Sequence, residues 1–393
     1  MSPQPAKNRQ KISVITPDLS GGGVTRAYLL SQVLQKLDYD VEVVGFLFGP
    51  SIYPNPPIGL PVHAFPGCNY PRLLSPAKQL LDQVNGDIIY AIKPRPTSFG
   101  MALLKQLFSK RPVVLDIDDW ELSWYGGDKW AYRPTVKQLA RDVLKPEGAL
   151  RQPEHPLYLK WSENLVSRAN AITVDTQFLQ DRFGGTYLPN GKDTALFDPE
   201  KYDLETSRER YGLSGYRVLM FPGTPRPHKG LEDVLLALEM LNEPDLRLVM
   251  VGGRRPDDYD RQLVERWGQW IIQLPRYPVE QMPEIVAAAH VVVVPQRDTP
   301  TAKAQFPLKL TDGMAMAKPI LSTKVGDIPT ILAGVGYLVE PNSPEQIAEQ
   351  LRAIFQDWES ACQLGLKARQ KCIEHYSTDA MASTLEELLG QLK

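Results

Sequence analysis

Little in the sequence would hold a chain together covalently. Three cysteines, Cys68, Cys362 and Cys372, lie scattered among 393 residues. They are too few for a disulfide framework or a zinc cluster, and they fit a reducing compartment. A charge excess is also missing. Forty-four basic residues face 46 acidic ones, a net charge of −2, which excludes a chain-wide basic footprint for nucleic acid. No apolar run approaches the ~20 residues of a membrane helix. The N-terminal residues 1–11 are polar and basic, and the run from Ile12 to Thr16 is too short for a signal core. A cytoplasmic protein is expected, with peripheral contact at the inner face of a membrane left open. The patterns G-x-S-x-G, G-x-x-x-x-G-K-[ST] and H-E-x-x-H are absent, which disfavours a serine hydrolase, a P-loop NTPase and a zincin. The 35 prolines are spread along the chain, so they do not mark a disordered proline-rich protein. The length exceeds one ordinary core and predicts two domains.

One pattern occurs twice. Lys11 to Thr16 reads as a buried strand, Gly21-Gly22-Gly23 as a turn, Val24 to Leu37 as an amphipathic helix and Val41 to Phe46 as a strand. The order returns with Arg217 to Phe221, a Gly- and Pro-rich turn from Pro222 to Gly230, a helix from Leu231 to Leu241, and a strand from Leu246 ending at Gly252-Gly253. Each copy reads as the opening of a Rossmann-like parallel sheet. Further apolar runs supply strands at Asp87 to Ala91, Pro112 to Asp116, Ala171 to Val174, His290 to Val294 and Pro319 to Ser322. The fold class expected is α/β. The domains are expected at 1–200 and 201–377, with a C-terminal helix at 378–393 packing back on the first. Ligands of such sheets bind at the carboxyl ends of the strands, so the loops that follow them are where function should lie.

In the second half, Gln305-Phe306-Pro307-Leu308-Lys309-Leu310-Thr311-Asp312-Gly313-Met314-Ala315-Met316-Ala317-Lys318-Pro319 resembles the E-x-F-G-x-x-x-x-E-A-M-A-x-G-x-P signature of GT-B glycosyltransferases, most closely retaining family 4. Leu188-Pro189-Asn190-Gly191-Lys192-Asp193 resembles the family's P-N-G-V-D junction. The segment from Pro222 to Gly230 resembles its G-R-x-x-x-x-K-G loop, and Gly21-Gly22-Gly23 its first glycine turn. Order and spacing match over most of the chain. The sequence departs from the family's motifs: among other changes, Ala304 stands where the first glutamate would fall, Asp312 at the second, Thr224 at the loop arginine and Pro307 at the glycine. The resemblance implies two Rossmann-like domains facing across a cleft. It also implies sugar transfer from a nucleotide-sugar donor to a hydroxyl acceptor with retention at the anomeric carbon. The first domain would bind acceptor and the second donor, with no cofactor and no metal.

On this reading Arg226 and Lys229 meet the donor diphosphate, whose charge grows as the glycosidic bond breaks. Lys309 joins them or is an ordinary surface lysine. Asp312 accepts from the ribose hydroxyls or simply complements the helix dipole. By resemblance, the loop from Leu274 to Tyr277 lies near the base. Gly22 and Gly23 let backbone approach the donor. The turn does not fit G-x-G-x-x-G, because Arg26 occupies the third glycine position, and this lowers the case for an NAD enzyme. Asp116-Ile117-Asp118-Asp119-Trp120-Glu121 follows a strand. Asp119, with Asp116, is the candidate to orient or deprotonate the acceptor, and a turn with a helix cap is the competing reading. Trp120 and Trp124 head an aromatic group suited to stacking on a sugar or to core packing. The polar stretch from Gly126 to Pro156 reads as an acceptor-side insertion or a lid, and His290 as a structural residue. Two alternatives stand beside transfer: a binding or scaffold protein that has lost catalysis, motivated by Ala304, and a nucleotide-sugar epimerase.

Overall fold

Short apolar runs buried on both faces become the strands of two all-parallel sheets. The computed structural model describes residues 9–252 and 258–392. Gly253 and residues 1–8 of the polar N-terminal stretch lie outside the described residues.

The chain divides into two units, one running to Pro189 and resuming at Met381, the other spanning Asn190–Ala380. The first holds β1 (Lys11–Thr16), β2 (Asp40–Leu47), β3 (Val62–Pro66), β4 (Ile88–Ile92), β5 (Val113–Ile117), β6 (Ala171–Val174) and β7 (Thr186–Tyr187), in the sheet order β3-β2-β1-β4-β5-β6-β7. The second holds β8 (Arg217–Phe221), β9 (Leu246–Val251), β10 (Ile271–Leu274), β11 (Val291–Val294), β12 (Ile320–Thr323) and β13 (Tyr337–Val339), in the order β10-β9-β8-β11-β12-β13. In each sheet the strand order reverses beside the first strand. β1 pairs with β2 on one side and β4 on the other, and β8 pairs with β9 and β11. Loops leaving a switch point diverge and open a crevice at the strands' carboxyl ends. The candidate groups gather at these two crevices.

Four strands escape the sequence pattern. β3 is half-buried, β7 has two residues, β10 exposes Gln273, and β13 is a short edge strand. None offers a continuous buried run. The first helix begins at Thr25 and ends at Lys36, after a single 3-10 turn over Gly22–Val24. Residues 190–200 belong to the second unit. The Lys192 N–H donates to the Tyr376 carbonyl at 2.7 Å, and the Thr378 N–H donates back to the Lys192 carbonyl at 3.0 Å. Met381, Leu385 and Leu389 of the last helix, Thr378–Gly390, are buried with Ile12, Val14 and Leu188 in the first unit's core. The stretch after Tyr125 is ordered as 3-10 turns at Gly127–Lys129 and Ala149–Arg151 around a helix, Val136–Leu144. No helix among the described residues is long and apolar enough to cross a membrane.

Candidate active site

In the first unit, charged groups meet beyond the carboxyl ends of β1, β4 and β5. Lys93 directly follows β4 and takes a left-handed backbone, φ 67°, uncommon for a residue with a side chain. Its N–H donates to the Asp116 carbonyl at 2.7 Å. The Lys93 ammonium sits 3.1 Å from Asp118 and 2.8 Å from Glu121. Arg95 pairs with Glu121 and with Glu154, and Thr97 donates to Glu154 at 3.1 Å. Burial alone would lower the Lys93 pKa, but Asp118, Glu121 and Asp119 outweigh it and the ammonium is held charged. Burial acts against the Glu121 carboxylate, yet Lys93 and Arg95 prevail and bring its pKa to about 2. Asp119 goes the other way. Burial, with Glu121 and Asp118 nearby, raises its pKa above the usual carboxylate range against the pull of Lys93. Trp124 Nε1 donates to Asp119 Oδ2 at 3.1 Å.

The structure separates the two aspartates of the acidic string. Asp116 is inside β5 and has no exposed surface. Arg26 reaches it with Nε at 3.0 Å and Nη2 at 2.8 Å, and the Thr173 hydroxyl adds a bond at 2.7 Å. Its carboxylate is thus committed to the protein interior, a correction to its expected place in the chemistry. Trp120 is corrected too. It is buried, with the Arg182 guanidinium over its ring at 4.1 Å, Phe178 tilted against it at 5.9 Å between ring centres, and Gly127 packed on it. Trp124 is 49% exposed.

The glycine turn after β1 is open. A Cβ at Gly22 would meet nothing within 4 Å, and one at Gly23 would make only an ordinary 3.8 Å contact with Lys93. Packing within the chain therefore does not demand glycine at either position.

In the second unit the loop after β8 carries Gly223, Arg226, His228 and Lys229. Gly230 ends it at φ 65°, and a Cβ there would lie 2.0 Å from the Pro295 carbonyl oxygen beyond β11. Glycine is required at that point, and it joins the two loops of the switch point. The Lys309 side chain lies along Gly223, where a Cβ would come 2.2 Å from its Cε. Its ammonium is 4.9 Å from the Phe221 ring centre. Burial lowers the Lys309 pKa, with Asp312 opposing. Lys229 donates to Gln305 at 3.3 Å. Burial and the neighbouring Lys229 and Lys309 push the His228 imidazole down to about 4. Two of these three basic residues, Lys229 and Lys309, thus act electrostatically on the third.

Asp312 lies in the second turn of the helix Leu308–Ala315, not at its start, and pairs with Lys192. The Lys192 ammonium also faces the Phe197 ring at 4.4 Å. Tyr277 packs edge-on against Tyr211, 5.7 Å between ring centres. His290 accepts from the Val218 N–H at 3.0 Å through Nδ1 and packs on Phe355 and Trp358, a structural residue as expected. Among the described residues no group of three or more His, Cys, Asp or Glu side chains is arranged to hold a metal ion.

Comparison with known proteins gives this architecture a family. The model described as Glycosyltransferase Family 4 matches residues 20–194, and that described as Glycosyl transferases group 1 matches residues 216–357. Together they span well over half of the chain. The chain is a family 4 glycosyltransferase. It is 27% identical over 296 residues to D-inositol 3-phosphate glycosyltransferase of Corynebacterium glutamicum, covering 68% of each chain. It is 22% identical over 385 residues to N-acetyl-alpha-D-glucosaminyl L-malate synthase of Bacillus anthracis, covering 95% of this chain and 94% of the relative. The crystal structure of Anabaena Alr3699/HepE in complex with UDP and glucose superposes with a TM-score of 0.74 at 18% identity, over 98% of this chain and 100% of that one. At that identity the likeness establishes the fold, GT-B.

Several residues of this glycosyltransferase escaped the reading of its sequence. Lys93 and Arg95 carried a usable signal, since they directly follow the apolar run of β4. Lys192 stands in the junction motif where the family has valine, and only the structure shows that it meets Asp312. Arg26 was legible as an exception to a glycine pattern but not as the partner of Asp116, 90 residues away. Ala304 is fully buried.

Proposed function

We infer that this glycosyltransferase moves a sugar from a nucleotide-sugar donor to a hydroxyl acceptor with retention of anomeric configuration. The observation that carries the reading is the convergence of Lys229, His228 and Lys309 on the Gly223 loop at the second unit's switch point. The two lysines are cations held in place before the reaction, and such cations stabilise a departing diphosphate without reorganisation. Arg226, from the same loop, adds a group suited to two phosphate oxygens. Asp312 takes the ribose hydroxyls, with Lys192 fixing its carboxylate, and Tyr277 lies toward the base. The relative crystallised with UDP and glucose supports a nucleotide-sugar donor.

The open glycine turn fits a close backbone approach to the transferred sugar or the donor phosphates. In the first unit, Asp119 orients the acceptor hydroxyl, and burial with Glu121 and Asp118 nearby makes its carboxylate readier to hold a proton than an ordinary one. The leaving phosphate takes the acceptor proton on the same face. Asp116 acts at one remove, holding β5 and the loop after it through Arg26. No metal is assigned a role in this scheme.

The test is product analysis with a panel of nucleotide sugars and hydroxyl acceptors. Nucleoside diphosphate should be released only with acceptor present, and NMR should show the donor's anomeric configuration in the product. Inversion, or conversion of the donor without acceptor, would overturn the reading.

A further inference from the structure

The segment between β5 and β6 holds a helix that the catalytic reading leaves unused. Over Val136–Leu144 every residue except Asp142 is exposed. Val136 and Leu144 are 88% and 71% exposed, and Val143 and Leu139 are 46% and 43% exposed. On a helical wheel these four share one face with Ala140. A helix of this length has little stability alone in water, yet this one is firmly built. The Thr135 side chain accepts from the Gln138 N–H, and Arg151 donates to the last carbonyls, Val143 at 2.8 Å and Leu144 at 3.0 Å. Asp142 points inward and accepts from the Tyr132 hydroxyl at 2.7 Å, while a Cβ at Gly148 would lie 2.2 Å from the Asp142 carbonyl oxygen. The protein therefore fixes the helix and leaves its apolar stripe bare.

Charge says what covers the stripe. Lys129, Arg133, Lys137, Arg141 and Lys145 recur at four-residue intervals and all are exposed. The one acid among residues 129–145, Asp142, is turned inside and is also met by Arg141. The outer surface of residues 129–145 thus offers apolar and cationic groups, with the neutral Thr135 and Gln138 and no exposed acid, the arrangement of helices that lie in the interface of an anionic bilayer. We propose that the helix Val136–Leu144 docks this glycosyltransferase on an anionic lipid surface, with its apolar stripe between the acyl chains and the basic residues against the headgroups. The proposal is independent of which sugar is transferred.

Co-sedimentation of the full chain with vesicles tests it. The protein should pellet with phosphatidylcholine–phosphatidylglycerol vesicles and stay in solution with phosphatidylcholine alone. A basic residue at such a surface is worth about fivefold in partition. Lys137→Glu with Lys145→Glu should therefore lower the partition coefficient at least about tenfold, and Val136→Asp with Leu144→Asp should do the same. Val136→Ser gives a milder check, with a smaller loss. All these side chains are exposed, so melting temperatures should match the wild type. Failure to pellet with anionic vesicles would overturn the proposal, as would variants that pellet equally well. A concentration-dependent dimer, seen by ultracentrifugation and abolished by Val136→Asp, would instead assign the face to a second copy.

Discussion

Replacing Arg26 by methionine should open the first unit more than any loss of a surface charge. The guanidinium is 2% exposed, donates twice to Asp116 and once to the Leu188 carbonyl at 2.8 Å, and faces a carboxylate with no exposed surface. Methionine fills much of the volume but leaves Asp116 with the Thr173 hydroxyl as its remaining side-chain donor. Removing one partner of a buried pair costs roughly 3–5 kcal/mol, because the other charge stays buried. Hydrogen exchange read by mass spectrometry reports this loss unit by unit. Where exchange follows the opening equilibrium, amides of β1, β4 and β5 should exchange over about a hundredfold faster, at 1.4 kcal/mol per factor of ten. Amides of β8, β9 and β11 should be unchanged. Arg26→Met with Asp116→Leu should recover most of the protection, since replacing both charges by apolar groups removes the stranded one. A change below about tenfold in the single variant would refute the reasoning, and so would a double variant no better than the single.

Three further outcomes are expected. Gly230→Ala should lower the melting temperature by more than about 4 °C. A left-handed residue with a Cβ costs about 1–2 kcal/mol before the collision with Pro295 is counted, so an unchanged calorimetric transition would contradict the geometry at that loop. The His228 imidazole, at about 4 when folded, binds its proton less readily than in the unfolded chain. Its contribution to stability is therefore present above pH ~6.5 and lost as pH falls through that value toward 4. A nucleoside diphosphate should raise the pKa, seen as a shifted imidazole NMR titration, and an unmoved titration would place the phosphates elsewhere. Asp119→Asn should lower kcat by about a hundredfold or more with donor affinity kept, and wild-type turnover would make the acidic string structural.

The sheets were legible because buried parallel strands are written as continuous apolar runs, and Lys11 to Thr16 and Arg217 to Phe221 read as strands without any partner in view. Edge strands such as β3 and β13 were not, because one side lacks a neighbour and the apolar signal thins. The loop after β8 and the helix Leu308–Ala315 were legible as order and spacing, so Arg226, Lys229 and Asp312 could be named from the sequence as candidates. Pairings were hidden. Nothing local tells that Arg26 reaches Asp116, that Lys192 reaches Asp312, or that Lys309 lies along Gly223, since each pair is joined by topology across about 86 to 120 residues. The same blindness put Asp116 among reactive groups and Trp120 on an acceptor surface. Aspartate and tryptophan after a strand look alike whether they face a ligand or a core.

Calorimetric titration of the wild type and of Lys229→Ala with Lys309→Met, using a nucleoside diphosphate, tests most directly that the second unit's loop holds the donor. Binding should be saturable at one site per chain and weakened at least about tenfold in the double variant, while the melting temperature stays near that of the wild type. Equal affinity in the two proteins would contradict it.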